Sequence, residues 1–201
     1  MIVVTVRSRR LDHAEPTRRA LVDSAVELFT ERGYAGAALD EVARRARVTK
    51  GALYHHFGGK QALFEAAFEA VETDVVARLG RAMGEAGSPW ETAKAGLRAF
   101  LEVCLEPAYQ RIVVHEAPAV MGRNRSREAD ERFTFGVVRQ AIAGLVETGE
   151  LADLPVDALA RVVFGALSAG ATTIADSPEP HSAKIDVERC VEYVLEGLRR
   201  R

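Results

Sequence analysis

The chain has little of what most chemistries require. Cysteine occurs twice in 201 residues, as Cys104 and Cys190. Two thiols so far apart give neither a disulfide framework nor metal-type spacing. They read as buried free thiols, which fits a reducing cytoplasm. No apolar run reaches the ~18 residues that span a membrane. The opening stretch is no secretory signal, because its apolar run is too short and the charges follow it. Strand-type alternation is not sustained anywhere, which excludes a sheet-based fold. There is no Ser-His-Asp arrangement, phosphate-binding glycine loop or dinucleotide fingerprint. The expectation is therefore a non-enzyme with no cofactor. His55 and His56 are adjacent and would point ~100° apart on a helix, so they do not share a metal. His115-Glu116 lacks convergent partners, and no metal site is expected.

What is present is an ordinary globular composition, 48% apolar and 28% charged, enough for one large domain or two small ones. The formal net charge is only −2, but it is unevenly spread. Residues 1–60 hold eleven Lys or Arg against seven Asp or Glu, and the remainder holds sixteen against twenty-two. A basic first third on an acidic remainder places phosphate contact, if any, in the first third.

Residues 1–14 show no periodicity and carry Arg7, Arg9 and Arg10. They read as a flexible basic arm, either a plain tail or one that touches DNA. A first helix follows from about Pro16 to Arg32, with Leu21, Ala25, Leu28 and Phe29 on one stripe and Gly33 as its stop. A second helix, about Ala38–Ala46, repeats Leu39, Val42, Ala43 and Ala46. Arg47-Val48 form a turn. Thr49 then caps a third helix from Lys50 to Phe57, which Gly58-Gly59 end. A long fourth helix, about Lys60–Met83, keeps one apolar face through Phe64, Phe68, Val75 and Leu79. Everything beyond the Gly84–Pro89 segment reads helical: about Trp90–Leu105, Pro107–Val114, Ser126–Glu147, Pro155–Ala175 and Ala183–Arg199. The fold class is all-α.

The informative stretch is VTKGALYHHFGGK, Val48–Lys60. Two short helices joined by a tight turn form a helix-turn-helix, whose second helix enters the major groove of DNA. Leu53 and Phe57, four apart, face the core with Val48. Lys50 can donate to a guanine edge or a phosphate, and Ala52 can contact a thymine methyl. Gly51 and Ala52 let the backbone approach closely. Tyr54, His55 and His56 lie where phosphates pass. Lys60 opens the fourth helix, whose N-terminal amides also favour an anion.

These residues resemble the DNA-binding segment of the TetR family of bacterial repressors. The resemblance runs from about Arg19 to Val71 and includes ELF-xx-RGY, VA-xx-A, KG-x-LY-x-HF and the lysine with its ALF. It implies a helix-turn-helix domain (15–60), a connecting helix (61–83) and a helical domain (84–201) that dimerises and holds a small-molecule pocket. It also implies a cytoplasmic, homodimeric, effector-released repressor on an inverted-repeat operator. By position, Lys50, Gly51 and Ala52 would face bases, while Thr49, Tyr54, His55, His56 and Lys60 would mostly face phosphates. Two positions depart from the family pattern. Ala35-Gly36-Ala37-Ala38 lacks the usual Ser or Thr cap of the second helix, and Arg47 replaces the usual turn glycine. If Arg47 has positive φ it is strained, yet it can add a phosphate contact.

For the pocket, Phe100, Leu101, Cys104, Tyr109, His115, Met121, Phe133, Phe135 and Phe164 are candidates, with ordinary core packing as the alternative for each. The acidic, aromatic-poor second domain points to an uncharged or lipophilic effector. For the dimer face, Val187, Cys190, Val191, Val194, Leu195 and Leu198 form one helical stripe. Leu159, Val163, Ala166, Leu167, Gly170 and Ile174 form another, and small residues there permit close approach. Two other classes stay open: a helical ligand carrier or enzyme with a vestigial motif, and an architectural DNA binder without effector.

Overall fold

The structure, a computed structural model, describes the backbone of residues 6–200 and the side chains of residues 15–200. Among the described residues there is no named strand, only an isolated bridge between Leu151 and Arg199. The chain separates into two compact units, Met1–Ala70 and Val71–Arg201.

The first unit contains α1 (Val6–Gly36), α2 (Leu39–Arg45), α3 (Lys50–His56) and the start of α4 (Lys60–Gly84). Helix α1 begins ten residues before the expected Pro16, which lies inside it. Of the expected arm, residues 1–5 fall outside the described residues, and the backbone from Val6 onward is helical. Proline inside a helix removes one backbone hydrogen bond but does not forbid the helix. At the other end, Gly33 has φ 70° and breaks the helical path, as only glycine does without cost.

Leu21, Ala25, Leu28 and Phe29 of α1, Val42 and Ala43 of α2, Leu53 of α3, Phe57 just after it, and Leu63, Phe64 and Phe68 of α4 are all buried. The rings of Phe29, Tyr34 and Phe64 pack against one another, Phe29 and Phe64 with centroids 5.2 Å apart. Two arginine forks fasten α2 to α1. Arg32 pairs with Glu41 through both nitrogens (2.6 and 3.0 Å), and Arg45 pairs with Glu31 (2.8 and 2.6 Å). Bidentate geometry fixes orientation as well as charge.

The second unit takes the rest of α4, then α5 (Pro89–Val103), α6 (Ala117–Val120), α7 (Arg123–Asp130), α8 (Gly136–Glu147), α9 (Val156–Ala175) and α10 (Pro180–Gly197). Ser88 caps α5, accepting from the Glu91 amide at 3.2 Å. Two stretches are π-helical, Tyr109–Glu116 and Glu131–Phe135. A π-helix is wider than an α-helix, so side-chain phase shifts across it. Helix α9 is long and apolar enough to cross a membrane by length and composition, with mean hydropathy 1.5, and only 28% of that stretch is buried.

Three substitutions check this description by thermal or denaturant unfolding. Ala38 stands at the N-cap of α2 in extended backbone with no side-chain cap. Ala38→Ser should stabilise the protein by ~1 kcal/mol, and no gain would contradict the assigned helix start. Gly170 lets α9 and α10 close, because a Cβ there would lie 2.7 Å from Val187 Cγ1, whereas a Cβ at Gly165 of the same helix meets nothing within 4 Å. Valine is stiff at χ1 and cannot swing aside freely. Gly165→Ala should therefore gain ~1 kcal/mol of helix propensity. Gly170→Ala should lose stability by about 1–3 kcal/mol through overpacking.

Candidate functional site

Helix α3 has only seven residues, too few to be stable by itself. Its shape comes from three supports. Thr49 Oγ1 accepts from the Ala52 amide at 3.2 Å, which caps the helix. Leu53 and Phe57 are buried at 0% and 4% exposure, and the Arg18 guanidinium covers the Phe57 ring at 5.3 Å. The α2–α3 turn closes through Val48 N–H on the Ala43 carbonyl at 2.9 Å. Arg47 in that turn has φ 56°, the positive value that makes a non-glycine residue strained there. Its side chain is exposed.

With its apolar pair fixed inward, α3 presents Lys50, Gly51, Tyr54 and His55 to solvent, with Thr49 beside them and Ala52 and His56 half-buried. Tyr54 is half exposed. The His55 and His56 rings meet edge to face at 5.5 Å. Gly51 answers no need of the protein itself, because a Cβ there would meet only Thr49 Oγ1 at 3.9 Å. Lys50 and Lys60 have partners that the spacing did not reveal. Lys50 Nζ sits 2.8 Å from the Asp40 carboxylate, and that hydrogen bond raises its pKa. Lys60 Nζ donates to the Ala35 carbonyl at 3.2 Å and lies over the Tyr34 ring at 4.8 Å. Lys60 thus helps fasten α4 to the end of α1.

The second unit encloses an apolar cavity of about 80 Å³. Phe100 of α5, Tyr109 of the first π-helix and Phe164 of α9 line it, as expected, together with Leu79, Met83, Leu97 and Leu167. Leu101, Cys104, His115, Met121, Phe133 and Phe135 are not among its lining residues. Cys104 is buried away from the cavity wall, its thiol pushed up to about 12 by burial and the charge of Asp130. His115 turns outward to Asp176, Nε2 to Oδ1 3.0 Å. The Phe133 ring lies under the Arg132 guanidinium at 4.8 Å. His115 and Phe133 fall in the two π-helical segments, where side-chain phase departs from that of an α-helix.

The polar residues of the wall other than Tyr109 were missed: Asp130, Thr134 and Ser168. Thr134 Oγ1 donates to Asp130 Oδ1 at 3.2 Å, and burial raises the Asp130 carboxyl to about 6. Glu72 of α4 is fully buried, and neither carboxylate oxygen has a hydrogen-bond partner. Burial, reinforced by the charge of Asp130, raises it to about 9, so it is neutral near pH 7. The same two acids, after burial itself, push the Tyr109 hydroxyl up. A signal for Glu72 existed in the sequence, since it falls on the apolar face of α4 between Phe68 and Val75. An open cleft of about 730 Å³ adjoins the cavity and shares Tyr109, Asp130, Phe164 and Ser168 with it.

An apolar groove also runs between α9 and α10. Of the residues expected at a dimer face, Leu159, Val163, Leu167, Gly170 and Val191 are buried within the protomer. Val187 and Leu198 are half-buried, and Val194 is 58% exposed. Val162 at 67% and Tyr193 at 83% are exposed as well.

Residues 21–67 match the model of bacterial regulatory proteins of the tetR family, and residues 90–198 match the tetracyclin repressor-like C-terminal domain. The Transposon Tn10 TetC protein of Escherichia coli is 24% identical over 163 residues, 79% of this chain and 80% of that protein. The HTH-type transcriptional regulator SrpR of Pseudomonas putida is 31% identical over 144 residues, 69% of this chain and 65% of that protein. A TetR-family transcriptional regulator of solved structure from Pectobacterium atrosepticum has a TM-score of 0.83 at 33% identity, over 94% of this chain and 97% of that one. The C-terminal match alone takes in more than half of the chain, which therefore belongs to the TetR family, whose members are DNA-binding transcriptional regulators and not enzymes.

Proposed function

We propose that this chain is a cytoplasmic repressor that binds an inverted-repeat operator as a homodimer and is released by a small molecule. Residues 15–60 form its DNA-binding domain, 61–83 the connecting helix, and 84–201 the effector and dimerisation domain. The observation that carries the reading is the outward face of α3. A lysine, a glycine with no internal reason to be glycine, a half-exposed tyrosine and a histidine stand on a helix pinned by Leu53 and Phe57. Lys50, Gly51 and Ala52 face base edges in this reading, and Arg47, Thr49, Tyr54, His55 and His56 face phosphates. Lys60 serves phosphate contact only in part, since it is already engaged.

Dimerisation rests on the exposed apolar side chains of α9 and α10. Joined to a second copy across a two-fold axis, those helices form a four-helix interface that covers Val162 and Val194. Two copies of α3 then reach successive major grooves ~34–36 Å apart. The effector occupies the second unit's cavity and the cleft it opens into, to which the two π-helical segments contribute Tyr109 and Thr134; such segments recur at functional sites. Helix α4 is continuous through both units and serves as the lever. An effector acts on it only by its differential affinity for the DNA-binding and released forms.

Selection of binding sites from a random duplex library at ~0.15 M salt tests the reading. An inverted repeat is the expected outcome, and a folded protein that enriches no sequence contradicts it. On the selected duplex, Gly51→Ala should leave thermal stability at least unchanged while weakening binding at least about tenfold, a loss of ~1.4 kcal/mol. Lys50→Ala should cost ~1–3 kcal/mol and relax one base position. Asp40→Asn should tighten binding to the selected duplex by up to ~1 kcal/mol, because it frees Lys50 from a surface pair. Unchanged sequence preference in Lys50→Ala would remove Lys50 from the base-reading set.

A further inference from the structure

Within the second unit the cavity wall has one ionisable acid and no base. Its described lining residues are aliphatic or aromatic except for Asp130, Thr134, Ser168 and Tyr109, and no Lys, Arg or His is among them. The described hydrogen bonds of Asp130 come from the neighbouring Thr134 hydroxyl alone, and no ion pair to it is found among the described residues. Glu72 repeats the situation in a more severe form. It is wholly buried and both its oxygens lack a partner. Buried carboxyls are nearly always hydrogen-bonded or paired, and an exception calls for an explanation. A leucine or methionine at 72 would fill the space without that penalty. Asp130 and Tyr109 stand in the cavity wall, whereas Glu72 is buried in α4 and is not among the lining residues. What the wall lacks is positive charge.

On the reading that this cavity and the cleft it opens into receive the effector, we propose that the effector is a lipophilic amine: an apolar, ring-bearing molecule that spans the two and whose protonated nitrogen pairs with Asp130. The rings of Phe100, Tyr109 and Phe164 supply faces for both the apolar part and the cation. Arginines 123, 127 and 161 at the adjoining cleft do not oppose entry strongly. Arg127 and Arg161 are exposed and both pair with Glu131, at 3.5 and 3.6 Å. Asp130 stands where cleft and cavity meet, so a cation passing those arginines reaches it first. Asp130 thus adds a charge to the uncharged or lipophilic effector expected from composition.

Three probes on one scaffold test this: phenylbutylamine, phenylbutanol and phenylbutyrate, titrated calorimetrically into the full-length protein near neutral pH. The amine should bind at least tenfold more tightly than the alcohol, and the carboxylate most weakly. Asp130→Asn keeps the shape and the Thr134 bond. It should abolish the amine's advantage while leaving the alcohol's affinity unchanged, which also shows that the variant is folded. Equal binding of amine and alcohol, an advantage that survives Asp130→Asn, or no binding by any probe overturns the proposal. Carboxylate-dependent amine binding that leaves operator affinity unchanged upholds it and removes effector release instead. Operator release by the alcohol or the carboxylate but not by the amine does the reverse.

Discussion

The burial of Leu53 and Phe57 is the constraint on which the first unit depends. Seven residues cannot hold a helix in water, because nucleation costs more than so few hydrogen bonds return. Those two side chains, four apart, fix both the existence of α3 and its rotation. The aromatic cluster of Phe29, Tyr34 and Phe64 stiffens the same small core. Once Leu53 points inward, the positions between are forced outward, and Lys50, Gly51 and Tyr54 become a surface. The bidentate Arg32–Glu41 and Arg45–Glu31 pairs then set α2 against α1. Function in this unit is a by-product of packing phase.

The second unit uses burial differently. Its cavity is apolar, yet the chain keeps Asp130 in the wall and Glu72 in the core. Both carboxyls are raised by desolvation, and Glu72 the more so because it has no partner at all. Such groups lower the stability of the unliganded protein. A ligand of opposite charge would restore what was lost, and such differential stabilisation is what a switch requires. The π-helical turns at Tyr109–Glu116 and Glu131–Phe135 give the wall its irregular phase.

The first unit was largely legible from its sequence. Apolar periodicity found the helices and Thr49 was the cap it looked like, while the family pattern, through its usual cap before the second helix and its usual turn glycine, drew attention to the uncapped Ala38 and to Arg47, whose φ is positive. Legibility failed wherever a long side chain chose among partners. Lys50 on Asp40 and Lys60 on Tyr34 and Ala35 are tertiary contacts with no local signature. The start of α1 was placed too late because Pro16 was taken as a first residue. In the second unit the sequence showed helical segments but not which side chains meet a cavity. Phe100, Tyr109 and Phe164 line it, whereas Leu101, Cys104, His115, Met121, Phe133 and Phe135 do not. Gly170 was read as a place for another subunit to approach, and in the protomer it admits Val187. Stripe patterns tell that a face is apolar and leave open whether its own chain or another covers it.

The central claim is that two α3 helices, held by one dimer, read two half-sites in fixed register. Measuring affinity for a selected duplex before and after inserting five base pairs between its half-sites tests this most directly. Half a turn puts the second half-site on the opposite face of the DNA. The expected result is a loss of affinity to near that of a single half-site. Unchanged affinity would mean that each α3 binds independently, and the dimeric, spacing-controlled mode of regulation would be wrong.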